Sequence, residues 1–201
     1  MFENEYYENE NFSDIIVDLS ELNRKKFIKC NFTNADLTDV RVVYSCTFDN
    51  CNFSSSALNG VDFKNCAFLN CKFSFANFFA TIFDDCKMTG SAFTDTDFSV
   101  LTISGGDWSH TELRYLEFDK KELLQVNFTG ADLSGSRFLK CKIEECNFEE
   151  ATVNELSFRD SDIRKSIFDN VDILSIDLKN TKVDMQQCIV IAEATGAKYA
   201  P

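Results

Sequence analysis

The chain has 201 residues, 44% of them apolar, and a formal net charge of −13. That length suffices for one domain with a full core, since chains of roughly 150–300 residues bury about 70% of their unfolded surface. The charge argues against direct nucleic-acid binding, because phosphates require Lys and Arg, and with no 18-residue apolar run and no charged-then-apolar leader, neither a membrane span nor a signal peptide is expected.

Residues 1–11, with Glu3, Glu5, Glu8 and Glu10 among Phe2, Tyr6 and Tyr7, are expected to form a frayed N-terminal cap. From Phe12 every fifth residue is apolar: Phe12, Val17, Leu22, Phe27, Phe32, Leu37 and Val42. One extra residue follows Val42, expected as a bulge. The period then resumes at Phe48 and holds through 28 consecutive positions to Val183, every one apolar, which a composition 44% apolar does not produce by chance. Five matches neither the 3.6 of a helix nor the 2 of a strand.

With the apolar position called i, residue i−2 is Ala, Cys, Ser, Thr, Val or Gly at 23 of the 28 repeats. In extended backbone i−2 and i face the same side, so one large and one small side chain point inward together. Residue i+2 is mostly polar or Gly, as at Gly60, Gly90, Gly105, Gly130 and Gly135, so the chain turns a corner there. Four corners close a square coil of 20 residues that stacks at the strand spacing of about 4.8 Å. Residues 12–183 thus predict about nine coils, a rod about 42 Å long at that spacing.

Eight of the nine cysteines (Cys30, Cys46, Cys51, Cys66, Cys71, Cys86, Cys141 and Cys146) occupy the small inward seat. Their spacing follows from the repeat rather than from a metal, and they are expected as buried, reduced thiols, which fits a cytoplasmic protein. The least regular stretch is Leu101–Leu124, with Leu101, Gly106, Leu116 and Lys121 at i−2. A Lys does not stay buried without a partner, so a distortion is expected at Lys121.

After Val183 the period stops. Asp184 can cap a helix from Met185 to about Thr195, ended by Gly196. Residues 184–201 are therefore expected to cap the last coil and to pair with a second copy, through the face bearing Met185, Cys188, Ile189 and Ala192. The single histidine, His110, falls at a corner, and no nucleophile motif, phosphate loop or metal-ligand cluster appears. An enzyme, a cofactor and a metal are not expected.

The repeats Ala35-Asp36-Leu37, Ala76-Asn77-Phe78 and Ala131-Asp132-Leu133, with many Cys-Asn-Phe variants, resemble the A-(D/N)-L-x-x motif of pentapeptide-repeat proteins. The resemblance covers Phe12 to Val183 and implies an all-β, right-handed quadrilateral β-helix. The stretch from Gln187 to Gly196 is similar to the C-terminal ends of Qnr-type members, where it implies a homodimer interface. The chain departs from the Qnr pattern in lacking the two long loops that interrupt those coils.

Sorting the outward residues by face places Asp107, Glu112, Asp132, Glu149, Glu150, Asp169 and Asp172 on two adjoining faces, as one acidic stripe. Thirteen charges over about 42 Å is one per ~3.2 Å, against one per ~1.7 Å in duplex DNA. The Qnr- and MfpA-type resemblance then implies a DNA mimic that binds a type II topoisomerase, DNA gyrase or topoisomerase IV, and modulates it or protects it from inhibitors such as quinolones. The alternative is a scaffold or adaptor that uses Phe79, Val100 and Leu139 on the neutral face.

Overall fold

A computed structural model describes residues 2–200. It contains eleven three-residue strands in chain order: β1 (Tyr6–Glu8), β2 (Glu21–Asn23), β3 (Lys26–Ile28), β4 (Val42–Tyr44), β5 (Thr47–Asp49), β6 (Asp62–Lys64), β7 (Ala67–Leu69), β8 (Ile82–Asp84), β9 (Thr102–Ser104), β10 (Glu122–Leu124) and β11 (Lys142–Glu144). All pairings are parallel, in the ladders β1-β3-β5-β7, β2-β4-β6-β8-β9 and β10-β11. Single bridges such as Lys87↔Asp107 and Asp107↔Asn127 continue the pattern at the 20-residue offset. The coil therefore has four faces, centred on Phe48, Phe53, Leu58 and Phe63 and on their equivalents above and below. This is the expected quadrilateral β-helix.

The ladder of the first face climbs through nine levels, from Tyr6 to Ile167. Seven of the nine levels carry a bridge on every face, so the regular solenoid amounts to about seven turns, slightly fewer than the sequence suggested. The level holding Asp97 and the last level, at Asp172, each lack one.

Two boundaries differ from expectation. Tyr7 stands opposite Phe27 in the first ladder, so the first coil starts inside the segment read as a frayed cap. Phe2 closes that end, its ring lying edge-on to Tyr7, Phe12 and Phe27. The extra residue lies earlier than expected, because Val43 rather than Val42 is the buried partner of Leu22 and Phe63. Val40 takes the inward seat, and the Ser20 carbonyl accepts both Arg41 N–H (2.8 Å) and Val42 N–H (3.4 Å). Two residues opposite one is a β-bulge.

The axis is a column of rings. Phe27, Phe48 and Phe68 stack face to face at 5.1 and 4.8 Å, as do Phe32, Phe53 and Phe73 at 4.8 and 5.2 Å. Neighbouring columns meet edge-on, as in Phe48–Phe53, so the rings adopt both favoured aromatic geometries. Trp108 is the largest ring in the column, and its Nε1 is the only buried side-chain nitrogen or oxygen among the described residues without a partner.

The inward seat does more than save space. Cys66, Cys71 and Cys86 each donate a thiol to the carbonyl of the central residue one coil below, Val43, Phe48 and Phe63, at 3.3 Å. Thr81 and Ser91 do the same to Leu58 and Phe68, at 2.8 and 3.0 Å. A small side chain with one hydrogen to give satisfies a carbonyl at the corner, where the ladder is interrupted. Residue i+2 is left-handed at nearly every corner, by Asn, Asp, Lys and Glu as well as Gly. Val100 is an exception, because a β-branched side chain does not tolerate positive φ.

Candidate protein-binding surface

Along each face, residues i−1 and i+1 point outward. The consensus Asp or Asn at i−1 is not a free outward group, however. Asn52 Oδ1 accepts from Ser54 N–H and Oγ–H at 3.0 and 2.6 Å, and Asn127 Oδ1 does the same for Thr129 at 3.1 and 2.6 Å. These side chains fasten the turn that follows them.

Two members of the expected stripe belong to this machinery. Asp107 accepts from Ser109 N–H (3.1 Å), Asn127 Nδ2 (3.0 Å) and Thr89 Oγ1 (3.1 Å), with Lys87 Nζ at 3.6 Å. Asp132 accepts from Ser134 N–H and Oγ–H (3.1 and 2.6 Å) and meets Arg114 at 2.5 Å. Partial burial pushes both carboxyls up, but hydrogen bonds from Ser109 and Ser134, with Lys87 and Arg114 beside them, hold both below their ordinary value. Both charges are consumed within the coil.

The other five differ. Glu112, Glu150, Asp169 and Asp172 are exposed and Glu149 is half-buried. None lies within 4.0 Å of a cation among the described residues. Glu112 sits on the second face at the level of Trp108, Glu149 and Glu150 sit two levels higher on the first face, and Asp169 and Asp172 close the top level. The acids that can meet a partner therefore concentrate towards the C-terminal end of the rod. The fourth face at that end neutralises itself: Arg164 grips Asp162 with two hydrogen bonds (2.8 and 2.7 Å), and Glu144 takes Lys142 and Lys165 at 3.3 and 2.5 Å.

The third face exposes apolar groups, as the sequence suggested for Phe79 and Val100, with Leu139 half-buried. Phe75 and Tyr115, at the corner between the second and third faces, were missed. Both occupy i+2, where an aromatic has no inward seat, and they are 65% and 75% exposed. The Tyr115 ring lies over Gly135, where a Cβ would come within 2.3 Å of it, and His110 lies over Gly130 in the same way. These two glycines leave room for a ring one coil below.

The last coil is closed by helix α1 (Met185–Ala194). Asp184 and Gln187 form a reciprocal capping box, and the Gln187 amide donates to the Ile163 and Ser166 carbonyls at 2.7 and 2.8 Å. A buried glutamine thus replaces the coil that would have come next, with Val190 and Ile191 packed beside it. Its burial was not foreseen, because a single polar residue in an apolar helix carries no periodic signal. Met185, Cys188, Ile189 and Ala192 fall on the opposite face. Met185 is 74% exposed, Cys188 is exposed, and the other two are half-buried.

Fold and surface define a class: a parallel β-solenoid with a filled aromatic axis, whose chemistry lies on its outer faces. Residues 46–85 and 122–149 match the family model of pentapeptide repeats, in eight copies. No curated protein sequence matches the chain. Among solved structures, two trypsin-treated forms of QnrB1, a plasmid-mediated fluoroquinolone resistance protein, superpose with TM-scores of 0.84 and 0.83 at 22% identity, covering 97% of each chain. Full-length QnrB1 superposes with a TM-score of 0.68 at 20% identity, over 96% of this chain and 100% of its own. At such identity the likeness is one of fold. The chain carries pentapeptide repeats in the two segments that the family model matches.

Proposed function

We propose that the protein is a non-enzymatic, cytoplasmic DNA mimic that engages a type II topoisomerase, DNA gyrase or topoisomerase IV, in place of DNA. The observation that carries this reading is the set of unpaired carboxylates Glu112, Glu149, Glu150, Asp169 and Asp172 on two adjoining faces of a net-negative rod. The QnrB1-like architecture supports it. Such a surface steers towards a basic DNA-binding groove, quickly at low salt and weakly at high salt. A homodimer through Met185, Cys188, Ile189 and Ala192 would double the length of the rod.

The test is gyrase supercoiling, and its protection from a quinolone, at micromolar protein and low salt. Glu112→Lys, Glu149→Lys and Glu150→Lys together should abolish the effect with the fold intact, since exposed charges contribute little stability. Asp107→Asn and Asp132→Asn should leave binding nearly unchanged, because those charges are already consumed. An unaffected gyrase would refute the proposal. The second reading, a scaffold that binds another protein, is favoured by the exposed Phe75, Phe79 and Val100 on and beside the third face.

A further inference from the structure

The wall of the solenoid is open at one height, and on two of its four sides. On the third face Asp97 bridges neither Asn77 below nor Glu117 above, although the ladder is intact from Ile16 to Asn77 and from Glu117 to Asp177. On the fourth face β9 and β10 belong to separate sheets, and an open groove of about 500 Å³ lies between them, lined by Ser99, Val100, Leu101, Thr102, Lys121 and Glu122 among others. On the first and second faces the bridges pass this height without a gap, through Lys87↔Asp107↔Asn127 and Ala92↔Glu112↔Asp132.

Three side chains mark the gap. Val100 stands at a corner that needs positive φ, and does not adopt it. Leu101 and Lys121 follow one another in an inward column that elsewhere holds Val61, Thr81, Cys141 and Ser161. Both inward seats at the gap hold large side chains, and it is a side chain rather than a backbone N–H that crosses it. Elsewhere on this face the inward residue's carbonyl accepts an N–H from the next coil: Thr81 from Thr102, and Lys121 from Lys142, both at 2.9 Å. At the gap, Leu101 O accepts the Lys121 ammonium instead. The ammonium stands in for the missing N–H of Glu122, and burial holds its pKa below the ordinary value.

We infer that the rod carries a built-in hinge at this height, with the ladders of the first and second faces as its leaf and the Lys121–Leu101 contact as its latch. A side-chain donor on a flexible stem tolerates changes of distance that a ladder hydrogen bond does not. The segments below and above can therefore swing by opening the third and fourth faces, which turns the first and second faces concave. The hinge is independent of the identity of any partner. Ligand-driven closure about such a hinge involves a few element-terminal residues, here Phe98–Leu101 and Lys120–Glu122.

Pairs of spin labels read the motion, in a Cys188→Ser background that leaves only buried native thiols. Ala80→Cys with Asp160→Cys spans the open side over four levels, at the corner between the third and fourth faces, and Asn70→Cys with Glu150→Cys spans the closed side over the same height. The open-side distance distribution should be at least about twice as broad as the closed-side one. Backbone amides of Glu122 and Leu124 should exchange about a hundred-fold faster than those of Lys142 and Glu144. Val100→Asn, Leu101→Val and Lys121→Ser together, which copy other levels, should narrow the open-side distribution and slow that exchange. Equal widths in the unrepaired protein overturn the hinge, and so does a folded repaired protein that stays broad.

Discussion

Phe148 offers the most direct measure of what the aromatic axis contributes. Its ring is fully buried, stacked between Phe128 at 5.2 Å and Phe168 at 4.9 Å, and edge-on to Phe138 and Phe158. Phe148→Ala removes the transfer free energy of one phenyl group and leaves a cavity, about 3–5 kcal/mol in rigid cores. Four aromatic pairs are lost at once, each worth about 0.5–1.5 kcal/mol beyond burial, which places the loss at the upper end of that range. Coils touch only their neighbours, so little repacking can come from elsewhere. Phe148→Leu keeps most of the volume and should cost about half as much. Urea unfolding followed by circular dichroism, with Glu150→Ala as an exposed control expected within about 0.5 kcal/mol, makes the measurement. A Phe148→Ala loss under about 1 kcal/mol, or equal to the control, would refute the filled-axis argument.

Glycine sites should separate into two kinds. At Gly106 (φ +94°) a Cβ would lie 2.3 Å from the Cys86 carbonyl oxygen, whereas at Gly60 (φ +77°) it would meet nothing. Thermal melts should therefore show Gly106→Ala costing more than about 3 kcal/mol and Gly60→Ala about 1–2 kcal/mol. Burial pushes the Cys46 thiol up to about 12, and Cys141 and Cys146 to about 11. An unfolded thiol ionises near 8.5, so the unfolded chain loses its protons first, and stability should be flat to about pH 8 and fall from pH 9 to 12. Denaturation midpoints across that range check the sign, and the eight buried thiols should react with a thiol reagent only on unfolding. Ile189→Glu should give a monomer in sedimentation with little change in melting temperature, because Ile189 faces away from the coil that Gln187 seals.

The coil was legible because two side chains in every five must face the axis whatever their neighbours do, and Phe marks the large seat and Cys the small one plainly. The register slipped at Val42 and Val43, where two adjacent valines fit the inward position equally well. Only the Ser20 carbonyl, shared by Arg41 and Val42, decides between them. The wall defect was expected at Lys121 because a charge was expected to be the problem. Val100 matters as much, through backbone conformation rather than polarity. The acidic stripe was half legible: composition places seven carboxylates on two faces, but whether a carboxylate is spent on its own turn depends on a Ser two residues later. Asp107-Trp108-Ser109 and Asp132-Leu133-Ser134 carry that signal, and a tally of charge by face passes over it.

The 20-residue turn also makes length and direction separate quantities. A duplication of 20 residues would lift everything beyond it by about 4.8 Å without turning it. An insertion of five would add a side of the square and rotate everything beyond it by a quarter turn. The carboxylates near the top would then look in a new compass direction relative to Tyr44 and Phe75 below, and α1 would leave the rod on another side. The bulge at Arg41 does neither, since its extra residue is absorbed at one shared carbonyl and Val43 still stands over Leu22. An insertion of five thus re-aims this surface, while an isolated extra residue at a corner leaves its bearing unchanged.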